Sequence, residues 1–294
     1  MITRRSFVQQ AGLLAATLYI KPAMAIGANR KIGLQLYSLN DVIAKDVRGV
    51  IKKVALAGYQ EVETYGYNPQ ALFWGLPAKE FKSLLKSNGL TSPSGHYNIT
   101  KYLLPAVTET EWKKGMDEYI EAAKALDQQY IVVPSLGIEH RQSASTYSAA
   151  AAKLNTIGAY LKNAKLQLAY HNHGYEFAPV DGRPGYDILL NETDPALIKL
   201  ELDIYWAIHA GRDPEDLFRK HPGRFLMWHV KDMDKAKPAL NTEVGEGSID
   251  YHKIFESARL AGVKHIYVEQ ENYSIDPLES ISKSFSYISK NLIK

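Results

Sequence analysis

The residues of this chain that could do chemistry follow four apolar segments in its second half. Each segment ends in imidazole or carboxylate groups, which are, in order, His171 and His173 with Glu176 just beyond, Asp203, His229 followed by Lys231, and Glu269. Oxygen and imidazole ligands suit Mn, Mg, Co and Zn ions. A divalent ion held by them can polarise a carbonyl group, while flanking groups move a proton between carbons or promote loss of a β-substituent. The sequence therefore predicts one bound divalent metal ion and carbonyl chemistry through an enediolate.

Eight short β-type runs, alternating with helical patterns, must position these groups. The runs cover residues 32–37, 60–64, 91–96, 130–134, 166–171, 198–203, 225–230 and 265–269. The helical patterns cover residues 42–57, 78–87, 111–126, 144–163, 186–191, 214–220, 251–260 and 277–290. This alternation is typical of a (β/α)8 TIM barrel, which we expect over residues 31–292. The turn after the first run, residues 38–41, lacks the glycines of a dinucleotide-binding open sheet.

In such a barrel the C-terminal ends of the strands form one rim, where active sites lie. Taken singly, a strand-end carboxylate could cap the next helix and a histidine could be a core group. Four consecutive strands that all end in metal-competent groups instead favour one site. Glu201 lies on the same face as Asp203, so it either supports a ligand or forms a structural charge pair. Residues expected to line the pocket or bind substrate are Tyr37, Glu63, His96, His173 and Trp206.

Lys231 has two interpretations that the sequence leaves open. Its ammonium group could bind a carbonyl or alkoxide oxygen of the substrate and so take part in catalysis. Alternatively, it could form a salt bridge at the rim with Asp232 or Asp234.

The N-terminal segment predicts export. Arg4 and Arg5 precede an apolar run at residues 11–20, and Ala23 and Ala25 form a small-x-small cleavage site. This order is typical of a bacterial signal peptide, and the arginine pair indicates the Tat route. The apolar run has about half of the ~20 residues that span a bilayer, so no stable membrane insertion is expected after processing. We therefore expect residues 1–25 to be a signal peptide and the mature protein to be periplasmic.

Composition excludes several classes of function. The net charge is +3, and Arg4, Arg5 and Lys21 of the signal contribute to it, so the mature domain is close to neutral. Nucleic-acid binding would need a basic stripe, and no nucleic-acid partner is expected. The chain has no cysteine, which excludes a thiol nucleophile and a thiolate metal site. The expected partner is a small-molecule sugar substrate, and a homo-oligomer is left open.

Several motifs resemble the sugar phosphate isomerase/epimerase superfamily of xylose isomerase-like barrels, which also includes inosose dehydratases and endonuclease IV. Asp203, with Ala210-Gly211 after it, resembles the family's strand-six motif, and His229-Val230-Lys231-Asp232 resembles its strand-seven motif. Residues 245–250, Gly-Glu-Gly-Ser-Ile-Asp, match a further family segment and imply that Glu246 contacts substrate. The resemblance implies that Asp203, His229 and Glu269 are metal ligands, with Glu269 also a catalytic acid or base.

The chain departs from the family at strand five, where most members have a ligand glutamate. His171-Asn172-His173 stands there instead, and resembles a subgroup of exported sugar-catabolism proteins. His171 aligns with the missing glutamate, but Glu176 could supply the carboxylate from the following loop. We prefer Glu176 as the ligand because three carboxylates neutralise a divalent ion better. His171 or His173 would then contact substrate or carry a proton.

Four functions follow from these expectations. The first is a metal-dependent isomerase or epimerase of an unphosphorylated sugar or keto-sugar, in which Glu269 and a strand-five group, His171 or Glu176, exchange the proton. The second is a lyase or hydratase acting on a 3-keto-glycoside or inosose, and the third is a non-catalytic periplasmic sugar-binding barrel. The fourth, endonuclease IV-type nuclease activity, is disfavoured by the near-neutral charge, by export, and by Trp206 near an expected histidine position.

Overall fold

The computed structural model describes residues 30–293, in which eight parallel strands close into a barrel. The strands are β1 (Gly33–Gln35), β2 (Glu61–Thr64), β3 (Thr91–His96), β4 (Tyr130–Val133), β5 (Gln167–His171), β6 (Ile198–Asp203), β7 (Met227–Val230) and β8 (His265–Val268). Each strand pairs with its neighbours in chain order, and β8 pairs with β1. The predicted (β/α)8 barrel is confirmed.

Helices surround the barrel. They are α1 (Asn40–Ile43), α2 (Val47–Leu56), α3 (Ala78–Ser87), α4 (Glu109–Ala125), α5 (Ala144–Asn163), α6 (Gly185–Glu192), α7 (Ile204–His209), α8 (Pro214–Lys220), α9 (Tyr251–Glu256), α10 (Ala258–Ala261) and α11 (Pro277–Asn291). The single helix predicted at 42–57 is two helices, because the side chain of Asp46 accepts the N–H of Gly49 and caps a new start. The helix predicted at 251–260 likewise breaks at Ser257.

The sequence prediction missed helix α7, which follows directly after β6. Its residues, Ile-Tyr-Trp-Ala-Ile-His, show no polar break after the strand, so the change from strand to helix is hidden in the pattern. The side chain of Asp203 accepts the N–H of Trp206 and starts the helix. Since this capping fixes the Asp203 carboxylate at the strand end, α7 helps to position the rim.

Strand residues alternate between two separate clusters. Side chains that point outward pack under the helices in the main core, as Ile131, Leu168 and Trp228 do. Those that point inward near the lower barrel form a small cluster of Tyr130, Val132, Ala169, Leu226, Met227 and Tyr267. This alternation is the period-2 rule of strands, and it leaves the upper barrel to polar side chains.

The strand register brings the polar residues side by side. Asp203 lies opposite His229, His171 lies opposite Glu201, and Gln35 lies opposite Glu63. Of the helices described, none is long and apolar enough to cross a membrane. The predicted signal peptide, residues 1–25, lies outside the described residues.

Candidate metal and substrate site

Four side chains from neighbouring strands form a buried cluster at the rim. His171, Asp203, His229 and Glu269 each offer a ligand atom, and these atoms lie within 4.8 Å of one another. The four residues are 0–5% exposed. We call this set the rim cluster. Two imidazoles and two carboxylates are a donor set that could hold a divalent cation.

His171 Nε2 and Asp203 Oδ2 face each other within the rim cluster. His171 Nδ1 lies 3.0 Å from the carbonyl oxygen of Pro134, so Nδ1–H donates there and Nε2 keeps its lone pair. Asp203 Oδ1 accepts the Trp206 N–H, while Oδ2 lies 3.0 Å from Lys231 Nζ and 3.7 Å from His171 Nε2. Among residues 30–293, His171 Nε2 is buried without a hydrogen-bond partner. An unpaired buried polar atom is costly, and a cation between His171 Nε2 and Asp203 Oδ2 would satisfy it.

Lys231 is fully buried beside the rim cluster. Its Nζ lies 3.0 Å from Asp203 Oδ2, 2.7 Å from Glu269 Oε2 and 2.7 Å from Glu271 Oε1. Burial alone would lower the pKa of Lys231, but the three carboxylates outweigh it and raise the pKa well above its ordinary value. Asp232 and Asp234, the salt-bridge partners considered from the sequence, are therefore not the residues it pairs with.

A second cluster of four buried side chains lies below the first and shares His229 with it. We call Glu63, His96, Glu201 and His229 the inner cluster. His229 Nε2 is 2.8 Å from Glu63 Oε2 and 3.2 Å from Glu201 Oε2, while His96 Nε2 is 2.8 Å from Glu201 Oε2. Burial opposes a charge on His96, but Glu63 and Glu201 prevail and raise its pKa to about 9. The inner cluster is thus a network of charge-assisted hydrogen bonds.

The inner cluster fixes which nitrogen of His229 faces the rim. With Nε2–H donating to Glu63, Nδ1 points at Glu269, whose Oε2 is 3.0 Å away. A carboxylate that holds the far N–H of a histidine orients the ring and raises its basicity as a ligand. Glu63 is itself held by Gln35 Nε2 at 2.7 Å and by the Ser94 hydroxyl at 2.6 Å.

We expect Glu63→Gln to weaken divalent metal binding about 10- to 100-fold, because the neutral amide no longer anchors His229 Nε2–H. Glu61→Gln is the matched control, since Glu61 is a buried glutamate on the same strand that pairs instead with His265 at 2.7 Å. Titration calorimetry with Mn²⁺ measures both affinities. Equal affinities in the two variants would contradict the role of Glu63.

Glu176 is not part of the rim cluster, and this corrects our preference for it as the strand-five ligand. It is fully buried on a 3₁₀ turn, Tyr175–Phe177. Oε1 accepts the hydroxyl of Tyr170 at 2.6 Å, and Oε2 accepts the backbone N–H of His173 at 2.9 Å. Both oxygens are therefore occupied in holding the strand-five loop, so the structure also gives no support to a catalytic role. His171 takes the strand-five place in the cluster.

His173 and Trp206 flank the rim cluster. The two rings are 6.1 Å apart, and His173 also lies 4.9 Å from His171. Burial, followed by the neighbouring His171, lowers the pKa of His173 to about 3, so the imidazole of His173 is neutral. The Lys231 ammonium lies 5.9 Å from the Trp206 ring. Trp206 therefore lies beside the rim cluster, and it does not line the cavity that opens above that cluster.

A cavity of about 550 Å³ opens above the rim cluster. Of the predicted site residues, those that line it are Tyr37, His96, His171, His173 and Glu269. The sequence prediction missed Glu271, Tyr65, Tyr67, Asn68, Asn98, Lys101 and Ser135, which line it too. The spacing of two between Glu269 and Glu271 was a signal for the first of these. The others lie on loops or helix starts that strand-end reasoning did not search.

Glu246 lies apart from the cavity, which corrects its predicted contact with substrate. It is exposed between Gly245 and Gly247. The backbone on both sides of Glu246 binds a carboxylate: the N–H groups of Gly245 and Gly247 donate to Asp232 Oδ2 at 2.9 and 3.2 Å. Asp232 Oδ1 accepts two more N–H groups, those of Met233 and Ile249. The motif therefore wraps a loop around a buried carboxylate.

Asp232→Ala should lower the free energy of unfolding by about 3 kcal/mol, since it leaves four backbone N–H groups without their acceptor. Glu246→Ala, in the same loop but exposed, should change it by less than about 0.5 kcal/mol. Urea denaturation followed by circular dichroism measures both. If Asp232→Ala lowers the free energy of unfolding no more than Glu246→Ala does, the loop does not depend on the Asp232 carboxylate.

Comparison with known proteins agrees with the barrel fold. A family model described as a xylose isomerase-like TIM barrel matches residues 51–291. The inosose dehydratase of Clostridium perfringens is 24% identical over 270 residues, which cover 81% of this chain and 87% of that protein. Two solved sugar phosphate isomerase/epimerase structures from Parabacteroides distasonis superpose with TM-scores of 0.79 and 0.75, at 24% and 26% identity. They cover 90% of this chain and 100% and 96% of their own chains.

Proposed function

This chain belongs to the xylose isomerase-like TIM barrel family, and we propose that it is a divalent-metal-dependent lyase of unphosphorylated keto-sugars or inososes. The enzyme would remove a proton beside the ketone and expel the oxygen substituent on the next carbon. The observation that carries this proposal is the sequestration of Glu176, which leaves Glu269 as the one carboxylate of the rim cluster that also lines the cavity. Asp203, the other carboxylate of the cluster, is fully buried.

A single carboxylate suffices for elimination from one face of a ring. It takes the proton from carbon and returns it to the leaving oxygen on the same face. The electron pair of the C–H bond becomes the new double bond, and the leaving oxygen keeps the pair of its C–O bond. Epimerisation instead needs a proton carrier on each face, which is why two glutamates would be expected for it.

The residues of the rim would have different roles in the reaction. His171, Asp203, His229 and Glu269 would hold the cation, which when bound polarises a ketone and offsets negative charge on its oxygen. Oε2 of Glu269 contacts His229 and Lys231, whereas Oε1 makes no hydrogen bond among the described residues. Oε1 would therefore move the proton, and Lys231 would fix the orientation of the carboxylate.

The curated relative supports the same reaction class, because it is named as a dehydratase and matches most of this chain. A sugar isomerase or epimerase is the second candidate. It is favoured by the likeness to the solved isomerase/epimerase structures and by the position of His173, whose imidazole lines the cavity beside His171.

The predicted export signal supports the choice of an unphosphorylated substrate, since phosphorylated sugars are mostly cytoplasmic. We propose that residues 1–25 direct the protein to the periplasm and are removed. N-terminal sequencing of the protein from a periplasmic fraction tests this. A chain that keeps Arg4-Arg5 and stays with the cytoplasmic fraction would return phosphorylated sugars to the list of substrates.

The reaction is tested by NMR in heavy water with the Mn-loaded protein, a 3-keto-glucoside and an inosose. The proposal expects release of the aglycone or of water, abolished by a chelator. Deuterium on an intact carbon skeleton would identify the isomerase instead. Neither change with any substrate, in a protein shown by elemental analysis to carry metal, would contradict both enzymes and leave a sugar-binding role.

A further inference from the structure

The cavity extends well beyond the rim cluster. The cavity is lined by His171 after β5 and by the ends of four strands that are neighbours in the closed barrel, β8, β1, β2 and β3. Glu269 and Glu271 follow β8, and the loops after β1, β2 and β3 carry Tyr37, Tyr65, Tyr67, Asn68, Asn98 and Lys101. Cavities of roughly 300–1,000 Å³ hold drug-sized ligands, so about 550 Å³ leaves room for more than one six-membered ring.

Tyrosine rings form a corner in the loops after β1 and β2. Tyr37 and Tyr65 meet at 82° with centroids 5.1 Å apart, and Trp74 backs Tyr65 at 5.2 Å. Tyr37 is 43% exposed although it is a large side chain in a concave surface. Aromatic faces of this kind offer apolar area at low entropy cost and, through the hydroxyl, a polar handle. They suit the C–H face of a sugar ring or an aromatic aglycone.

The loop after β2 is held in a strained shape that supports this corner. Leu72 and Trp74 both have positive φ, 54° and 49°, which side chains other than glycine rarely adopt. Such strain costs free energy and is concentrated at ligand clamps. Backbone hydrogen bonds from Leu72 N to Asn68 O and from Gly75 N to Ala71 O, 2.8 and 2.9 Å long, keep the loop in this shape.

Polar groups beside the corner favour a neutral, hydroxylated ligand. Asn68 Oδ1 accepts the N–H groups of Gln70 and Ala71, which leaves its amide N–H₂ for another partner. Asn98 is exposed after β3, and Lys101 is the one lysine or arginine among the cavity-lining residues. A phosphate group would be expected to meet several cations.

We propose that this corner is a second subsite, which binds the aglycone ring of a keto-glycoside while the oxidised sugar lies at the rim cluster. The subsite rests on the proposed function and makes it more specific, because a one-ring inosose would leave the corner empty. The leaving oxygen then belongs to the glycosidic bond, and the alcohol released by elimination carries the second ring.

Tyr37→Ala and Tyr65→Ala test the subsite in the metal-loaded enzyme. The ratio of kcat/KM for a phenyl 3-keto-glucoside to that for an inosose should fall about three- to tenfold in each variant, through KM. Tyr160→Ala, a half-buried tyrosine on helix α5 outside the cavity, is the control and should keep the ratio. An unchanged ratio in both cavity variants would overturn the subsite.

Binding separates failure of the subsite from failure of the reaction. Calorimetry with phenyl glucoside and with glucose needs no turnover, and the wild type should bind the two-ring ligand at least tenfold more tightly. If no substrate reacts but this preference exists and is lost in Tyr37→Ala, the proposed reaction fails and the subsite stands. Equal binding of both ligands by the wild type contradicts the subsite whatever the reaction is.

Discussion

Asp203→Asn should remove the divalent metal from the purified protein and lower kcat by about a thousandfold or more. The carboxylate Oδ2 is fully buried beside His171 Nε2 and Lys231 Nζ, and its charge is what a cation would meet there. Loss of a Lewis acid costs several kcal/mol of barrier stabilisation, and each 1.4 kcal/mol is about tenfold in rate. Asparagine keeps the oxygen that caps helix α7, so the fold should persist. Elemental analysis and steady-state kinetics measure the two effects.

Glu176→Gln is the control for metal content. Glutamine has the same size and can still accept one of the two hydrogen bonds that Glu176 accepts. We expect this variant to keep its metal, with thermal melting used to check that it is folded. Full metal in Asp203→Asn would contradict Asp203 as a ligand, and loss of metal from a folded Glu176→Gln protein would reverse our assignment of the strand-five ligand.

Glu269→Gln should reduce proton transfer by about 10²- to 10⁴-fold even when the metal site is saturated. The amide cannot accept the proton from carbon, whereas His171, Asp203 and His229 remain to hold the ion. Burial on its own would raise the pKa of Glu269, but Lys231 and His229 hold the pKa well below its usual range, so the native group is ionised and ready to accept a proton. Single-turnover reactions at saturating Mn²⁺ measure the step separately from metal affinity.

Glu271→Gln is the matched control, because Glu271 lines the same cavity and contacts the same lysine. We expect it to lose far less activity than Glu269→Gln. If Glu271→Gln shows the larger loss and Glu269→Gln stays within a few fold of wild type, the proton carrier is Glu271. His173→Ala then tests whether the second candidate reaction uses the imidazole.

The strands could be predicted because parallel barrel strands are buried on both faces and appear as apolar runs between helical patterns. Their polar ends could be predicted to meet because barrel topology places those ends at one rim. Asp203 and His229 illustrate this, since they are adjacent in the register. The sequence offered a helix cap and a metal ligand as alternatives for a strand-end carboxylate. Asp203 fits both, because one oxygen caps helix α7 and the other faces the rim cluster.

The choice between His171 and Glu176 could not be made from the sequence, because it depends on the path of the loop after β5. That path turns Glu176 back toward Tyr170, a strand residue on the outward face. Charge balance favoured a third carboxylate, but the nearby ammonium of Lys231 already faces two of the rim carboxylates. The carboxylates that contact Lys231 could not be predicted either, because its long side chain reaches residues on other strands that are distant in the sequence.

The depth of each side chain inside the barrel could not be predicted from the sequence either. Glu63 and His96 were expected to line a pocket, and Glu201 was assigned to the correct face. The sequence could not show that these three meet around His229 below the rim, since their spacing gives the face of a strand but not the side-chain reach. The aromatic corner was missed apart from Tyr37, because Tyr65, Tyr67 and Trp74 belong to a loop without periodicity.

Anomalous diffraction from crystals grown with Mn²⁺ tests the central claim most directly. We predict one strong anomalous peak within about 2.0–2.3 Å of His171 Nε2, Asp203 Oδ2, His229 Nδ1 and a Glu269 oxygen. A peak coordinated by Glu176, a peak confined to the inner cluster, or no peak from protein that binds Mn²⁺ in solution would contradict it.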